Sequence, residues 1–357
     1  MIKTSNKIMA GMAGAVLVAS SATAMFATHQ PAIAETDPEP TGSVHNLDGY
    51  RLESTLLPED APFTQVANVE GTFVFNQEGV TPNDELFNVF GTAILTMCSK
   101  PAPELLAEQS GVANYYINVS GHIQENFTVD LSELSDDEQG TLMGCSCMTG
   151  SPVGQAYVVG VPLASVVSMA NLEEGVNTVT AYGADGYGQP LPLQYALDHD
   201  ALLVYQVNGE ALKSSEGSSA QLWMPGTVAS YFTRNIASIE LTREEAVPEV
   251  QGVDPTYRNK IEIKNDADGC TFFAGDQISF EGVADDCGSP ITAIEFSFDD
   301  GRTWTVCETE GATADKWVNW SFTTSFDEPG DYQLTVRART ADGVVSPLSA
   351  SLAFTVQ

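Results

Sequence analysis

The chain has 357 residues, with 48 Asp+Glu against 14 Lys+Arg, a formal net charge of -34 and a pI of about 4.1. So acidic a chain lacks the basic surface that displaces counterions from nucleic-acid phosphates or holds anionic lipid. Hydrophobic residues at 43% and aromatics at 9% exclude disorder along most of it, and the length suits a leader followed by two domains.

Residues 1–34 have the pattern of an export signal. Lys3 and Lys7 precede an apolar stretch from Ile8 to about Ala27, and Ala32-Ile33-Ala34 offers small residues before Glu35. The leader is either cleaved there or kept as a membrane tether, and either outcome places the protein outside the cytoplasm. Cleavage removes two lysines and no acid, taking the charge to -36. There is no twin-arginine pair. Residues 35–65 are expected to be a linker.

Residues 66–243 read as a mixed α+β domain. Strands are expected at Tyr115–Val119, Thr141–Cys145, Thr178–Ala181, Leu202–Gln206 and Ile236–Leu241. Helices are expected at Pro103–Gln109, Leu163–Met169 and Leu193–Ala196. The acidic, proline-bearing stretch 244–258 marks a second linker. Residues 259–357 read as all-β, with strands at Lys260–Lys264, Gln277–Val283, Thr292–Phe298, Thr303–Glu308, Val318–Thr324, Tyr332–Ala338 and Ser349–Val356. Asp299-Asp300-Gly301 and Pro329-Gly330-Asp331 supply turns. Seven short strands in about 100 residues point to an immunoglobulin-like sandwich.

Few residues are equipped for chemistry. After the leader only His45, His122 and His199 remain, there is no G-x-S-x-G elbow, and no P-loop or dinucleotide glycine fingerprint occurs. The sharpest feature is Gly144-Cys145-Ser146-Cys147-Met148-Thr149-Gly150. A thiolate at a strand end in a glycine-lined loop can reach a soft metal. The competing reading is a pair of buried thiols, or one thiol bridged to Cys98. Cys287 and Cys307 flank the Asp299-Asp300-Gly301 region and are expected to bridge across it, leaving Cys270 to pair elsewhere or stay free.

The order of motifs resembles the sulfite-oxidase superfamily, nearest in pattern to its periplasmic methionine-sulfoxide-reductase branch. Phe87-Asn88-Val89-Phe90-Gly91-Thr92 is similar to the loop that wraps the pterin, and Tyr116-Ile117-Asn118-Val119-Ser120-Gly121 to the strand after it. The Cys145/Cys147 segment followed by Gly160-Val161-Pro162-Leu163 is similar to the segment whose cysteine ligates molybdenum. Leu197-Asp198, Val207–Leu212, Leu222–Gly226 and Arg234–Leu241 follow in the family's order. The C-terminal stretch resembles the family's immunoglobulin-like dimerisation domain through Ile294–Trp304, Trp317 and Trp320, Arg337-Ala338-Arg339 and Asp342-Gly343.

The resemblance implies an α+β sulfite-oxidase-like molybdopterin-binding domain plus an all-β immunoglobulin-like sandwich. It implies a molybdenum-molybdopterin cofactor and two-electron oxygen-atom transfer on a small substrate. One cysteine would ligate the metal. Spacing to Gly160 favours Cys147, and strand-end context favours Cys145. Phe90, Gly91 and Thr92 would approach the pterin. Arg234 would grip its phosphate, with hydroxyls from Thr227, Ser230 and Thr233 nearby. Between residues 66 and 241 the only cations are Lys100, Lys213 and Arg234. So cation-poor a domain favours a neutral substrate over an anion. There is no haem segment, so electrons would pass through a separate redox partner, and the sandwich would serve a homodimer or a monomer. A second reading keeps the fold without cofactor, as a non-catalytic surface or binding protein.

Overall fold

The computed structural model describes residues 44–47, 50–54, 63–83, 86, 111–146, 152–215, 217–251, 258–265, 267–286 and 288–357. The leader, the helix expected at Pro103–Gln109 and the loop carrying Phe90, Gly91 and Thr92 lie outside them. No helix among the described residues is long and apolar enough to cross a membrane.

The chain opens with β1 (Val44–Leu47), β2 (Tyr50–Ser54) and β3 (Thr72–Asn76). Then come β4 (Tyr116–Gly121), β5 (Phe127–Asp130), a 3-10 turn (Leu131–Asp137), β6 (Gln139–Ser146), β7 (Pro152–Pro162) and α1 (Leu163–Met169). They are followed by β8 (Thr178–Gly183), β9 (Leu191–Pro192), α2 (Leu193–Asp198), β10 (Leu202–Val207), β11 (Glu210–Ala211), β12 (Gln221–Trp223), a 3-10 turn (Ala229–Tyr231) and β13 (Ile236–Thr242). The five strands and two helices expected here within the described residues are present, within two residues at each end. The long β7 was not expected. Its PVGQAYVVGVP run has glycines and prolines that read as loop.

Two sheets build this mixed α/β domain. One runs β5-β4-β13-β8-β9, with β13 parallel to β4 and antiparallel to β8. The other runs β11-β10-β7-β6, with β12 also on β10. Because side chains alternate along a strand, the second sheet feeds two cores. Val161, Leu203 and Leu222 face a core shared with α1, α2 and the first sheet. Met143, Cys145, Val158, Leu202, Val204 and Trp223 face a second core. Gly160 lets β7 and β10 approach closely, since a Cβ there would stand 2.4 Å from the Leu203 carbonyl oxygen. Asn208 and Gly209, at φ 49° and 80°, make the tight two-residue turn between β10 and β11.

The C-terminal part is all-β. It contains β14 (Asn259–Ile263), β15 (Cys270–Phe272), β16 (Gln277–Asp286), β17 (Ile291–Ser297), β18 (Thr305–Glu308), β19 (Val318–Ser325), β20 (Gly330–Thr340) and β21 (Ala350–Val356). One sheet runs β1-β2-β15-β21-β20-β17-β18 and the other β14-β16-β19-β3. Both contribute to one core, in which Ile278, Phe280, Phe296, Phe322, Leu334, Val336 and Phe354 interdigitate. The edge strand β3 comes from the N-terminal side of the mixed domain. It pairs with β19 from Thr72↔Thr323 to Asn76↔Asn319.

Cys307 carries a free thiol that burial pushes up to about 11. The bridge expected from it to Cys287 is therefore not formed. The two cysteines share a turn region in sequence, but Cys307 sits within β18, opposite Ile294 of β17.

The β17–β18 connection is fixed by Asp299. Burial alone would raise its pKa. Hydrogen bonds from the Thr303 backbone and hydroxyl at 2.8 and 2.7 Å and from the Ser297 hydroxyl at 2.9 Å, with further help from Arg302, outweigh that and hold it below the ordinary 3.8. A carboxyl whose folded pKa is depressed adds stability above its unfolded pKa, and loses it as pH falls through the folded value. In urea titrations between pH 5 and about 2, wild type should lose stability more steeply than Asp299→Asn. Parallel curves would refute this role.

Candidate functional site

Cys145 ends the regular part of β6, beside a register shift between Cys145 and Ser146. Its side chain is 1% exposed and sits in the second core with Leu86, Trp223, Ala229 and Phe232. Cys147 lies outside the described residues. The cysteine strand thus packs against the segment that leads to Arg234.

That segment, 222–235, is a closed loop whose ends meet through Leu222 N–H donating to Thr233 O at 2.9 Å. The Trp223 and Phe232 rings meet edge-on, 5.3 Å apart between centroids. Gly226 turns the chain at φ 65°. The Thr227 hydroxyl donates to Met224 O at 3.0 Å, and the Ser230 hydroxyl to Gln251 Oε1 at 2.7 Å. Tyr187 O–H donates to Ser230 O at 2.6 Å, and burial first, then Tyr231 and Asp185, pushes this phenol up to about 12. Thr233 is buried, and Arg234 is 1% exposed.

A guanidinium is weakly hydrated for an ion and fits a buried phosphate. The Arg234 position and the single buried thiol of Cys145 therefore suit a phosphate-bearing, metal-holding cofactor. The Thr227 and Ser230 hydroxyls suit it less, since both already donate within the protein. Among the described residues no three His, Cys, Asp or Glu side chains form a group that could hold a metal ion. A metal here would need ligands beyond the protein in addition to a thiolate.

Sequence reasoning missed what lies on the other face of β6. Gly144 points away from Cys145, and Trp317 of the C-terminal domain lies against it. A Cβ on Gly144 would stand 2.8 Å from Trp317 Nε1 and 2.9 Å from Cδ1. Beside it, Gln155 is fully buried. Its Oε1 accepts from the Trp317 backbone N–H at 2.7 Å, and its Nε2 donates to Gly79 O at 2.7 Å and Gln77 O at 3.2 Å. Its backbone exchanges bonds with Thr81. Asn208 adds a donor to Thr81 O and another to Asn83 Oδ1, both at 2.9 Å. Residues 77–83 therefore strap β3 of the C-terminal sheet to the cysteine-bearing sheet. The glycine before Cys145 was the signal, but nothing local says that an indole 173 residues away needs its space.

Residues 104–249 match the family described as oxidoreductase molybdopterin binding domain. No curated protein matches. Among solved structures, the sulfane dehydrogenase SoxCD from Paracoccus pantotrophus is similar at 19% identity and a TM-score of 0.52, over 65% of this chain and 68% of that one. Fibronectin(III)-like modules of CbhA from Clostridium thermocellum match at 11% identity and a TM-score of 0.23, over 61% of this chain and 94% of theirs. A point mutant of the SrpA adhesin from Streptococcus sanguinis matches at 16% and 0.20, over 28% and 57%. Scores that low carry no argument about this fold. Residues 104–249 are thus similar to a molybdopterin-binding oxidoreductase domain, and a β-rich C-terminal part follows them. Its fold is related to that of SoxCD.

Proposed function

We propose that the protein is an exported molybdopterin-dependent oxidoreductase that transfers an oxygen atom to or from a small neutral substrate. The observation that carries this reading is the packing of Cys145 and the 222–235 loop on one wall, within the segment that matches the molybdopterin-binding family. When bound, the cofactor would supply the two-electron chemistry. The chain's part is to offer one thiolate from Cys145 or Cys147, to hold phosphate with Arg234, and to approach the pterin with Phe90, Gly91, Thr92 and Thr233. Trp223 and Phe232, which pack with Cys145, would keep water from its sulfur. A middle domain with four cations, Lys100, Lys213, Arg234 and Arg243, supports a substrate without negative charge. The leader supports an extracytoplasmic location, and a separate redox partner would exchange electrons. The chain divides into 66–243 and 259–357, with β3 and the earlier β1 and β2 crossing to the second part, an immunoglobulin-like sandwich that serves a homodimer.

The alternative, a cofactor-free binding protein, draws on the apolar burial of Cys145 and on the internal bonds of Thr227 and Ser230. Metal analysis of protein from its native host separates the two. About one molybdenum per chain is expected, retained in one of Cys145→Ala and Cys147→Ala and lost in the other. A well-folded wild type without molybdenum overturns the enzyme reading, and loss in neither variant overturns the thiolate assignment.

A further inference from the structure

A cavity of about 500 Å³ opens between the β14-β16-β19-β3 sheet and the segment 80–82. That volume is in the range of small-molecule sites. Its walls divide by chemistry. Val74 and Val80, 58% and 47% exposed, line one end of it with Pro82 and the edge of the Trp317 indole, beside the polar side chains of Asn76, Thr81 and Asn319. Glu281 and Lys264 stand at the other end.

The register gives the distance between the ends. Glu281 pairs with Ser321 on β19, and Ser321 pairs with Val74 on β3. These residues form one row on one face, so two strand spacings, about 10 Å, separate the charged end from the apolar one. The charge is also decided. Lys264, just after β14 and across from Glu281, has its Nζ 3.1 Å from Glu262 Oε2, so one cation here faces two carboxylates. Glu281 is exposed and makes no ion pair among the described residues. With a chain charge of -34, the unmatched carboxylate disfavours an anionic ligand and favours a cation. Burying Val74 and Val80 would add affinity in proportion to the apolar surface removed from water. The aromatic wall tolerates a cation as well as a hydrocarbon.

We propose that this cavity binds a small amphipathic amine, with its ammonium on Glu281 and an apolar body of about six carbons on Val74, Val80 and Trp317. The site needs no cofactor, although its Trp317 wall also packs on Gly144 beside Cys145.

Hexylamine, hexanol and hexanoate share one chain and differ in head group, so they isolate the charge. Calorimetric titration into the full-length protein, with tryptophan emission as a second signal, should give saturable binding of hexylamine. Its affinity should exceed that of hexanoate by about tenfold or more, the scale of a hydrogen bond to a charged group. Glu281→Gln should bring hexylamine down to hexanol. Glu308→Gln removes the same charge from exposed β18, and should leave hexylamine binding unchanged. Three results would overturn the proposal: no saturable binding of hexylamine, hexanoate binding as tightly, or equal losses in the two variants, which would mean attraction to acidity alone.

Discussion

Gly144→Ala is expected to cost about 2–3 kcal/mol of stability and to speed alkylation of Cys145. The new methyl would stand 2.8 Å from the buried Trp317 indole nitrogen, and overpacking of this kind costs roughly 1–3 kcal/mol. If Trp317 retreats, its backbone N–H leaves Gln155 Oε1, now 2.7 Å away, and an unsatisfied buried acceptor costs roughly 1–3 kcal/mol more. Against this, alanine lowers the entropy of the unfolded chain, worth about 0.4–1 kcal/mol. Urea denaturation gives the stability, and mass-mapped alkylation under native conditions gives the exposure of Cys145. An unchanged urea midpoint would mean that the indole yields freely and that the C-terminal domain does not brace the cysteine strand.

Glu295→Ala should be comparably damaging, by about 3 kcal/mol. Glu295 is fully buried at the centre of β17, directly opposite Arg337 of β20. Its Oε2 accepts from Arg337 Nε at 2.6 Å, and Arg339 Nη2 meets Oε1. The Arg337 guanidinium also lies 3.8 Å over the Trp304 ring. Breaking a buried pair by removing one partner costs about 3–5 kcal/mol, because a charge is left without compensation. The arginines are partly exposed, which favours the lower end. Arg339→Ala, which removes the more exposed partner, should cost less than about 1 kcal/mol. Equal losses in the two variants, measured by urea denaturation, would contradict this ordering.

Much of the β-rich part was legible because period-two alternation is strong there. Ile278, Phe280 and Gly282 face one way along β16, as do Leu334, Val336 and Ala338 along β20, and all are buried. The Asp299-Asp300-Gly301 turn was legible from its residue types, and both Asp300 and Gly301 take positive φ. β7 was obscured because its glycines serve close approach to β10, a tertiary need that looks like a loop in sequence. At the candidate site, the strand-end position of Cys145 was readable from Leu142-Met143-Gly144 before it and Arg234 stood out by motif order, but the burial of Arg234 was not legible. The bonds that commit Thr227 and Ser230 were not, since Gln251 lies 21 residues beyond Ser230 and has no motif of its own. The brace on Gly144 was equally invisible, being formed by an aromatic residue of another domain.

β3 carries a consequence for biosynthesis. Its partner β19 begins 246 residues later in the chain. At about 5–20 residues per second, the ribosome takes roughly ten to fifty seconds to supply it. Throughout that interval Phe73 and Phe75, which pack on the C-terminal core, have no sheet to join. The mixed domain can be complete in the meantime, with the strap at residues 77–83 already stitched to β7 and the β10–β11 turn. The nascent strand would then be held as a docked template on which the last part of the chain closes. Pairing across so long a separation is intrinsically slow. Closure of the second domain therefore waits on the first, and a nascent chain stalled before residue 318 would display an open, aromatic strand edge to its surroundings.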